Sequence, residues 1–223
     1  MVTTDSQIPN WLRHALTQQQ AIKLSHLVEE AENHTTGEIV PVLVHRSTAV
    51  GHVKWILVGF FMAAFLALEA WYTQLTWGWH WAWLPIVALV LILFVAFQLA
   101  KLDWIQNIFT TQEDEDRQVA MRAELEFYRS HIKKTAHGTG ILIFVSWMEK
   151  RAVVLADKGI ADLYPPETWN QVIDSMVAEF KKGHTYEAFE VAIKRCGEIL
   201  KEKLPASAEG NLNELRNHLV IRE

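Results

Sequence analysis

The stretch "ILIFVSWMEKRAVVLADKG", residues 141–159, decides the fold because it holds two apolar runs of strand length joined by a short turn. Ile141–Ser146 is an almost continuous apolar run, which is typical of a strand buried on both faces. "WMEK" predicts the turn, and Arg151–Ala156 predicts a second strand antiparallel to the first. This stretch therefore predicts the centre of a small sheet.

A third apolar run, Ile39–Val44, lies about one hundred residues earlier and predicts a further strand. Pro41 cannot donate a hydrogen bond to a ladder, which favours an edge strand or a bulge here. Amphipathic segments that predict helices flank these strands: after the capping box Thr17–Gln20, after Thr110 or Thr111, from Trp169 to Gly183, and from Phe189 to Pro205. The predicted fold class is therefore α/β, a three-layer α/β/α sandwich around a small mixed sheet.

Two apolar segments, Val53–Tyr72 and Trp81–Ala100, interrupt this pattern. Each is about the ~20 residues that a helix needs to cross a bilayer. Where the two segments meet, "TWGWHWAWLP", residues 76–85, has tryptophan at every second position, and indole rings favour the membrane interface. The sequence therefore predicts a two-helix transmembrane hairpin, whose alternative is a buried apolar hairpin.

Arg46, Lys54 and Lys101 flank the hairpin, whereas its connector has no Lys or Arg. Positive flanks predict a cytoplasmic side. The first ten residues contain no apolar signal segment, and the single cysteine suits a reducing compartment. We therefore expect a multi-pass protein with two spans in a bacterial inner membrane and with both termini cytoplasmic. The expected parts are residues 1–50, the hairpin 51–103, residues 104–205 and a polar tail 206–223.

The loop after the third strand, "LADKGIADLYPPETW", is the candidate site. Asp157, Lys158 and Asp162 follow the carboxyl end of a strand, where open α/β sheets bind ligands. Asp157 and Asp162, with Glu38 at the mouth of the first strand, could hold a divalent cation such as calcium, which prefers carboxylate oxygens. The plainer interpretation is a turn at Asp157–Gly159 and a surface charge at Asp162.

Other features are weaker. The net charge of −5 and the lack of a basic stripe argue against nucleic acid as a partner. No P-loop, G-x-S-x-G or H-E-x-x-H motif is present. Cys196 lies on the apolar stripe of the last predicted helix, which predicts a core residue. Glu69, near the end of the first apolar segment, is either an interfacial or a functional residue.

Three stretches, "HTTGEIVPVLV", "GTGILIFVSWMEKRAVVLADKGIADLYPPETWNQVI" and "MVAEFKKGHTYEAFEVAIKRCGEILKEKLP", resemble the TPM-domain family. This family includes thylakoid-lumen phosphatase-like proteins and bacterial proteins. The resemblance spans Thr17–Pro205 apart from the hairpin. It implies an α/β/α sandwich and, for some members, acid phosphatase activity and binding of a divalent cation, often calcium. The chain departs from the family in its hairpin and in "ADKG", where many members have "GYG".

Two functions of different classes follow. The favoured one is a membrane-anchored TPM-like domain facing the cytoplasm that binds a cation, a phosphorylated ligand or a partner, with Lys158 and Gly159 as ligand-binding residues. Its expected partners are the lipid bilayer, through the hairpin, and a membrane protein. The alternative is a metal-assisted acid phosphatase, in which Asp157 and Asp162 hold the ion and Lys158 neutralises developing charge. It ranks second because the sequence supplies no convincing nucleophile or general base.

Overall fold

The computed structural model describes residues 8–48, 53–75, 83–99, 111–132, 138–165, 167–206, 215 and 217–222. It divides the chain into two compact units. The first combines Met1–Ser47 with Asp116–Glu223, and the second is Thr48–Glu115.

The described residues form seven helices and four strands. The helices are α1 (Gln18–Glu32), α2 (Val53–Leu75), α3 (Trp83–Leu99), α4 (Gln112–Arg129), α5 (Lys158–Ala161), α6 (Glu167–Lys181) and α7 (Thr185–Lys203). The strands are β1 (Glu38–Val44), β2 (Gly140–Ser146), β3 (Arg151–Ala156) and β4 (Val220–Arg222).

The four strands form one mixed sheet in the order β3-β2-β1-β4. β1 pairs in parallel with β2 from Glu38 opposite Gly140 to Val44 opposite Ser146. β2 and β3 are antiparallel, as the short "WMEK" turn predicted. β4 adds three residues in parallel to the other side of β1. The predicted strands are therefore confirmed, whereas the sequence had assigned no strand to the polar tail that contains β4.

Pro41 lies in an inner strand and not at the edge of the sheet. The inner strand tolerates a proline there because of the direction in which the Pro41 backbone nitrogen faces. The N–H of Glu38 donates to Thr139 on the β2 side, whereas the N–H of Ile39 donates to the Glu32 carboxylate on the opposite side. Because backbone groups alternate along a strand, Pro41 also faces away from β2. β4 pairs with β1 only from Val42 onward, so no ladder donor is required at Pro41.

Apolar side chains cover both faces of the sheet. On one face, strand residues such as Ile39, Leu43 and Ile143 pack with α1, α6 and α7. On the other face, Val40, Val42, Leu142 and Phe144 pack with Val119, Ala123 and Phe127 of α4. Burial on both faces accounts for the continuous apolar runs of β1 and β2, and the fold is a mixed α/β fold with helices on both sides of the sheet.

Local signals set the helix ends and their packing. The predicted capping box of α1 is present: the backbone N–H of Gln20 donates to Thr17 Oγ1, and the N–H of Thr17 donates to the Gln20 side chain. The acidic run after Thr111 forms the first turn of α4, where the helix dipole favours negative charge. Gly197 of α7 allows close approach to α1, because a Cβ there would lie 2.9 Å from Ala31 Cβ.

The second unit contains α2 and α3, which contact each other. Its described side chains are largely exposed, with 64% for Trp55, 67% for Phe60 and 61% for Phe94. In this respect the unit differs from the first, whose apolar side chains form two buried clusters. Residues 76–82, which hold most of the tryptophan run, lie outside the described residues.

In the part of the chain that the structure describes, no helix is long and apolar enough to cross a membrane. This finding contradicts the predicted localisation as a two-span protein of a bacterial inner membrane with cytoplasmic termini. The described part of α3 has 17 residues and, at about 1.5 Å per residue, extends about 26 Å, against ~30 Å for a bilayer core. In α2, the uncharged stretch between Lys54 and Glu69 extends only about 21 Å.

Candidate functional site

The predicted site loop forms a single turn of helix. Asp157 is the N-cap of α5, and its side chain accepts the N–H of Lys158 at 2.8 Å. Asp162 is the C-cap, exposed, with its N–H bonded to the Lys158 carbonyl. The N–H of Gly159 donates to the carbonyl of Gly138, a glycine with a φ of +63°. Asp157, Lys158, Gly159 and Asp162 thus shape one compact turn, with Lys158 exposed to solvent.

This turn lies at the opposite end of the parallel strands from the one expected. Asp157 does follow the carboxyl end of β3, but β3 runs antiparallel to β2. That end therefore borders the amino ends of β1 and β2. The N–H of Asp157 donates to Gly140, and Gly140 is the register partner of Glu38. The predicted residues share one end of the sheet, but not the carboxyl end of parallel strands where ligands commonly bind.

A metal site at these carboxylates stays a prediction. Among the described residues, which include Asp157, Asp162 and Glu38, no group of three His, Cys, Asp or Glu side chains could together hold a metal ion. The side chain of Glu38 is buried, and its Oε2 accepts the N–H of Leu215 at 3.3 Å. The negative charge of Glu38 acts on a second buried carboxylate, Glu32.

Glu32 and Glu38 form a buried acidic pair at the start of β1. Glu32 Oε1 accepts the N–H of Ile39 at 2.9 Å. The pKa of Glu32 is raised to about 8, mainly by burial; the Ile39 hydrogen bond opposes this rise, and the negative charge of Glu38 adds to it. Glu32 is therefore largely protonated at neutral pH. No local pattern indicates this, because Glu32 ends an ordinary amphipathic helix.

A different part of the first unit forms a cleft of about 470 Å³ between the end of α4 and β4. Two arginines and two histidines contribute to its lining, and its walls include apolar side chains. The lining residues are Val40, Arg129, Ser130, His131, Leu215, His218, Leu219, Val220, Ile221 and Arg222. We call this the Arg129/Arg222 cleft.

A fully buried carboxylate, Glu126, forms ion pairs with the two arginines of the cleft. Arg129 Nη1 lies 3.1 Å from Glu126 Oε1, and Arg222 Nε lies 3.7 Å from Oε2. Arg122 Nε lies 3.3 Å from Oε1. Three guanidinium groups against one carboxylate give these four side chains a net charge of +2. The side chains of Arg129 and Arg222 remain 51% and 48% exposed, so neither is enclosed by the fold.

Cys196 and His45 both pack against neighbouring side chains of the first unit. Cys196 is fully buried, as predicted, and burial raises its pKa to about 12, which makes the thiol unreactive. His45 stacks on Trp11 at 4.5 Å between ring centroids. The side chain of Glu69 lies outside the described residues.

The fold and the cleft together define a mixed α/β domain with a basic cleft at one sheet edge. Residues 105–199 match the family model described as the TPM domain, in agreement with the resemblance noted in the sequence. No curated protein matches the chain. The chain is similar to the NMR structure of the BA42 protein from the psychrophilic bacterium Bizionia argentinensis sp. nov.. That match has a TM-score of 0.58 and 18% identity and covers 96% of this chain and 98% of BA42, which shows likeness of fold.

Proposed function

We propose that this protein is a binding module for a small phosphorylated ligand, which it holds in the Arg129/Arg222 cleft. The observation that carries the proposal is the buried Glu126, which forms ion pairs with two half-exposed arginines at the same cleft. A guanidinium has five N–H donors, so each arginine can bind Glu126 and still donate to a phosphate.

The chemistry of the lining favours a phosphate that carries an organic group. A phosphomonoester has a charge of about −1.5 to −2 at neutral pH, which complements the net positive charge of the Glu126 cluster. Val40, Leu215 and Leu219 offer an apolar wall for the organic part. A volume of about 470 Å³ is in the range of small-molecule sites. Because both arginines are half exposed, we expect modest affinity that weakens as salt rises.

Isothermal titration with phenyl phosphate and with inorganic phosphate tests the proposal. We expect Arg129→Gln and Arg222→Gln each to weaken binding of phenyl phosphate by at least about tenfold, since a charged hydrogen bond contributes about 1.5–3 kcal/mol. Arg122→Gln is the matched control: Arg122 also contacts Glu126 but does not line the cleft. Equal binding by the wild type and Arg129→Gln, or a larger loss in Arg122→Gln, would contradict the proposal.

The alternative, a metal-assisted acid phosphatase, stays a prediction. Asp157 already caps α5 through its side chain, and Asp162 sits at the other end of the same helical turn. No observation favours this turn over the Arg129/Arg222 cleft as a phosphate site. Turnover that depends on a divalent cation such as calcium, and that is lost in Asp157→Ala, would favour the enzyme.

A further inference from the structure

β3 forms one edge of the sheet. Its inner side pairs with β2 along its whole length, and among the described residues no strand pairs with its outer side. Edge strands in natural proteins are commonly protected by proline, a bulge or an inward-pointing charge, because open edges pair with other strands. β3 contains no proline, and its register with β2 is continuous, without a bulge.

The hydrogen-bonding pattern shows which backbone groups point outward. The N–H of Asp157 donates to Gly140 at 2.9 Å, so Asp157 belongs to the set of residues that face β2. Because these groups alternate along an antiparallel strand, Arg151, Val153 and Leu155 also face β2. The backbone N–H and C=O groups of the intervening residues, Ala152, Val154 and Ala156, therefore point away from the sheet.

The charges at the two ends of β3 are opposite in sign. Arg151 begins the strand and Asp157 follows it. In an antiparallel pair between two copies of β3, residues whose backbone N–H and C=O groups point away from β2 must lie opposite one another. If Val154 lies opposite Val154 of the second copy, Arg151 lies opposite Asp157 at both ends. The next permitted registers shift one strand by two residues. They place Arg151 opposite Leu155 or Gly159, so both charge pairs are lost.

We propose that β3 pairs with β3 of a second copy of this chain, antiparallel and about a two-fold axis at Val154. The pairing is self-complementary, as a two-fold dimer requires, and it joins the two sheets into one. Val153 then faces Leu155 of the second copy on one side of the sheet, and Ala152 faces Ala156 on the other. These side chains are half-buried in the single chain, so pairing covers apolar surface that is now exposed. The surface is distinct from the Arg129/Arg222 cleft.

Charge reversal tests this register with the full chain in analytical ultracentrifugation. The wild type should dimerise in a concentration-dependent way. Arg151→Asp and Asp157→Arg alone should each raise the dimer dissociation constant at least about tenfold, because like charges then face each other at both ends. An equimolar mixture of the two variants should recover dimers, because the heterodimer restores opposite charges at both ends.

Two controls separate pairing from folding. Arg151 Nη1 also forms an ion pair with Asp116 at 3.0 Å, so Asp116→Ala removes that contact and should leave dimerisation unchanged. Hydrogen exchange should show slower exchange of the Ala152, Val154 and Ala156 amides at high protein concentration. The proposal is overturned if the wild type and Arg151→Asp show the same association, if the mixture does not recover dimers, or if these amides exchange equally at both concentrations.

Discussion

At the scale of single residues, the Glu32 side chain accepts a backbone hydrogen bond that a neighbouring strand would otherwise accept. β4 covers only the last part of β1, which leaves the Ile39 N–H without a ladder partner on that side. The carboxylate of Glu32, at the end of α1, accepts this N–H in the protein interior. The hydrogen bond links α1 to β1, but it also buries an acid next to Glu38.

The raised pKa of Glu32 predicts a pH dependence of stability. Its folded-state pKa of about 8 lies above the ordinary value of 4.5, so the folded protein binds this proton more tightly than the unfolded chain does. The resulting stabilisation is full below pH 4.5 and is lost as the pH rises through 8. The free energy of unfolding should therefore fall between pH 5 and 8, by up to about 1.4 kcal/mol per pH unit.

Urea unfolding of the wild type and Glu32→Gln at several pH values measures this effect. Glutamine keeps an oxygen that can accept the Ile39 N–H but cannot ionise, so the variant should lose this part of the pH slope. Glu30→Gln, an exposed position on the same helix, is the control and should keep the slope. Parallel pH curves for the wild type and Glu32→Gln would contradict the prediction.

At the scale of elements, α1 depends on the capping box at its amino end. Thr17 and Gln20 each satisfy a backbone N–H that the helix leaves without an internal partner. α1 then packs Leu24 and Val28 into the core beneath the sheet. A loss at the cap should therefore lower the stability of the whole first unit.

Thr17→Ala should lower the free energy of unfolding by about 1 kcal/mol, the usual effect of removing a threonine cap. Ser25→Ala is the matched control, because Ser25 also loses a hydroxyl hydrogen bond, to the Ala21 carbonyl, but lies within the helix. Alanine is the better helix former there, so little loss is expected. Thermal or urea unfolding compares the two variants, and an equal loss in both would show that the cap itself contributes little.

At the scale of the whole molecule, the first unit is assembled from two separated parts of the chain. β1 comes before the second unit and β2 after it, yet they pair along seven residues each. Both apolar clusters of the sheet draw residues from both parts. The core of the first unit therefore requires both parts of the chain together.

Replacing residues 53–100 with Gly/Ser linkers of several lengths should leave a folded α/β unit. The entropy of closing a loop grows only with the logarithm of its length, so the long excursion is not needed to bring β1 and β2 together. Circular dichroism and thermal melting should show a cooperative transition for linkers long enough to connect the ends without strain. If no linker length gives cooperative unfolding, the replaced residues contribute to the core of the first unit.

Local pattern by itself determined most of the elements of this protein. The apolar runs identified β1, β2 and β3, because strands buried on both faces have no polar alternation. The short turn determined that β2 and β3 are antiparallel, since four residues cannot make a parallel crossover. The capping box and the acidic first turn located the starts of α1 and α4, because these signals act within one helical turn.

Tertiary structure alone decided the cleft and the acidic pair. Arg222 meets Glu126 across almost one hundred residues, and nothing in the polar tail indicates that a three-residue strand brings it there. Hydropathy suggested two membrane spans, whereas none of the helices that the structure describes is long and apolar enough to cross a membrane. The environment of a charge depends on residues distant in sequence, so the pKa of Glu32 and the pairing of Arg222 follow only from the folded chain.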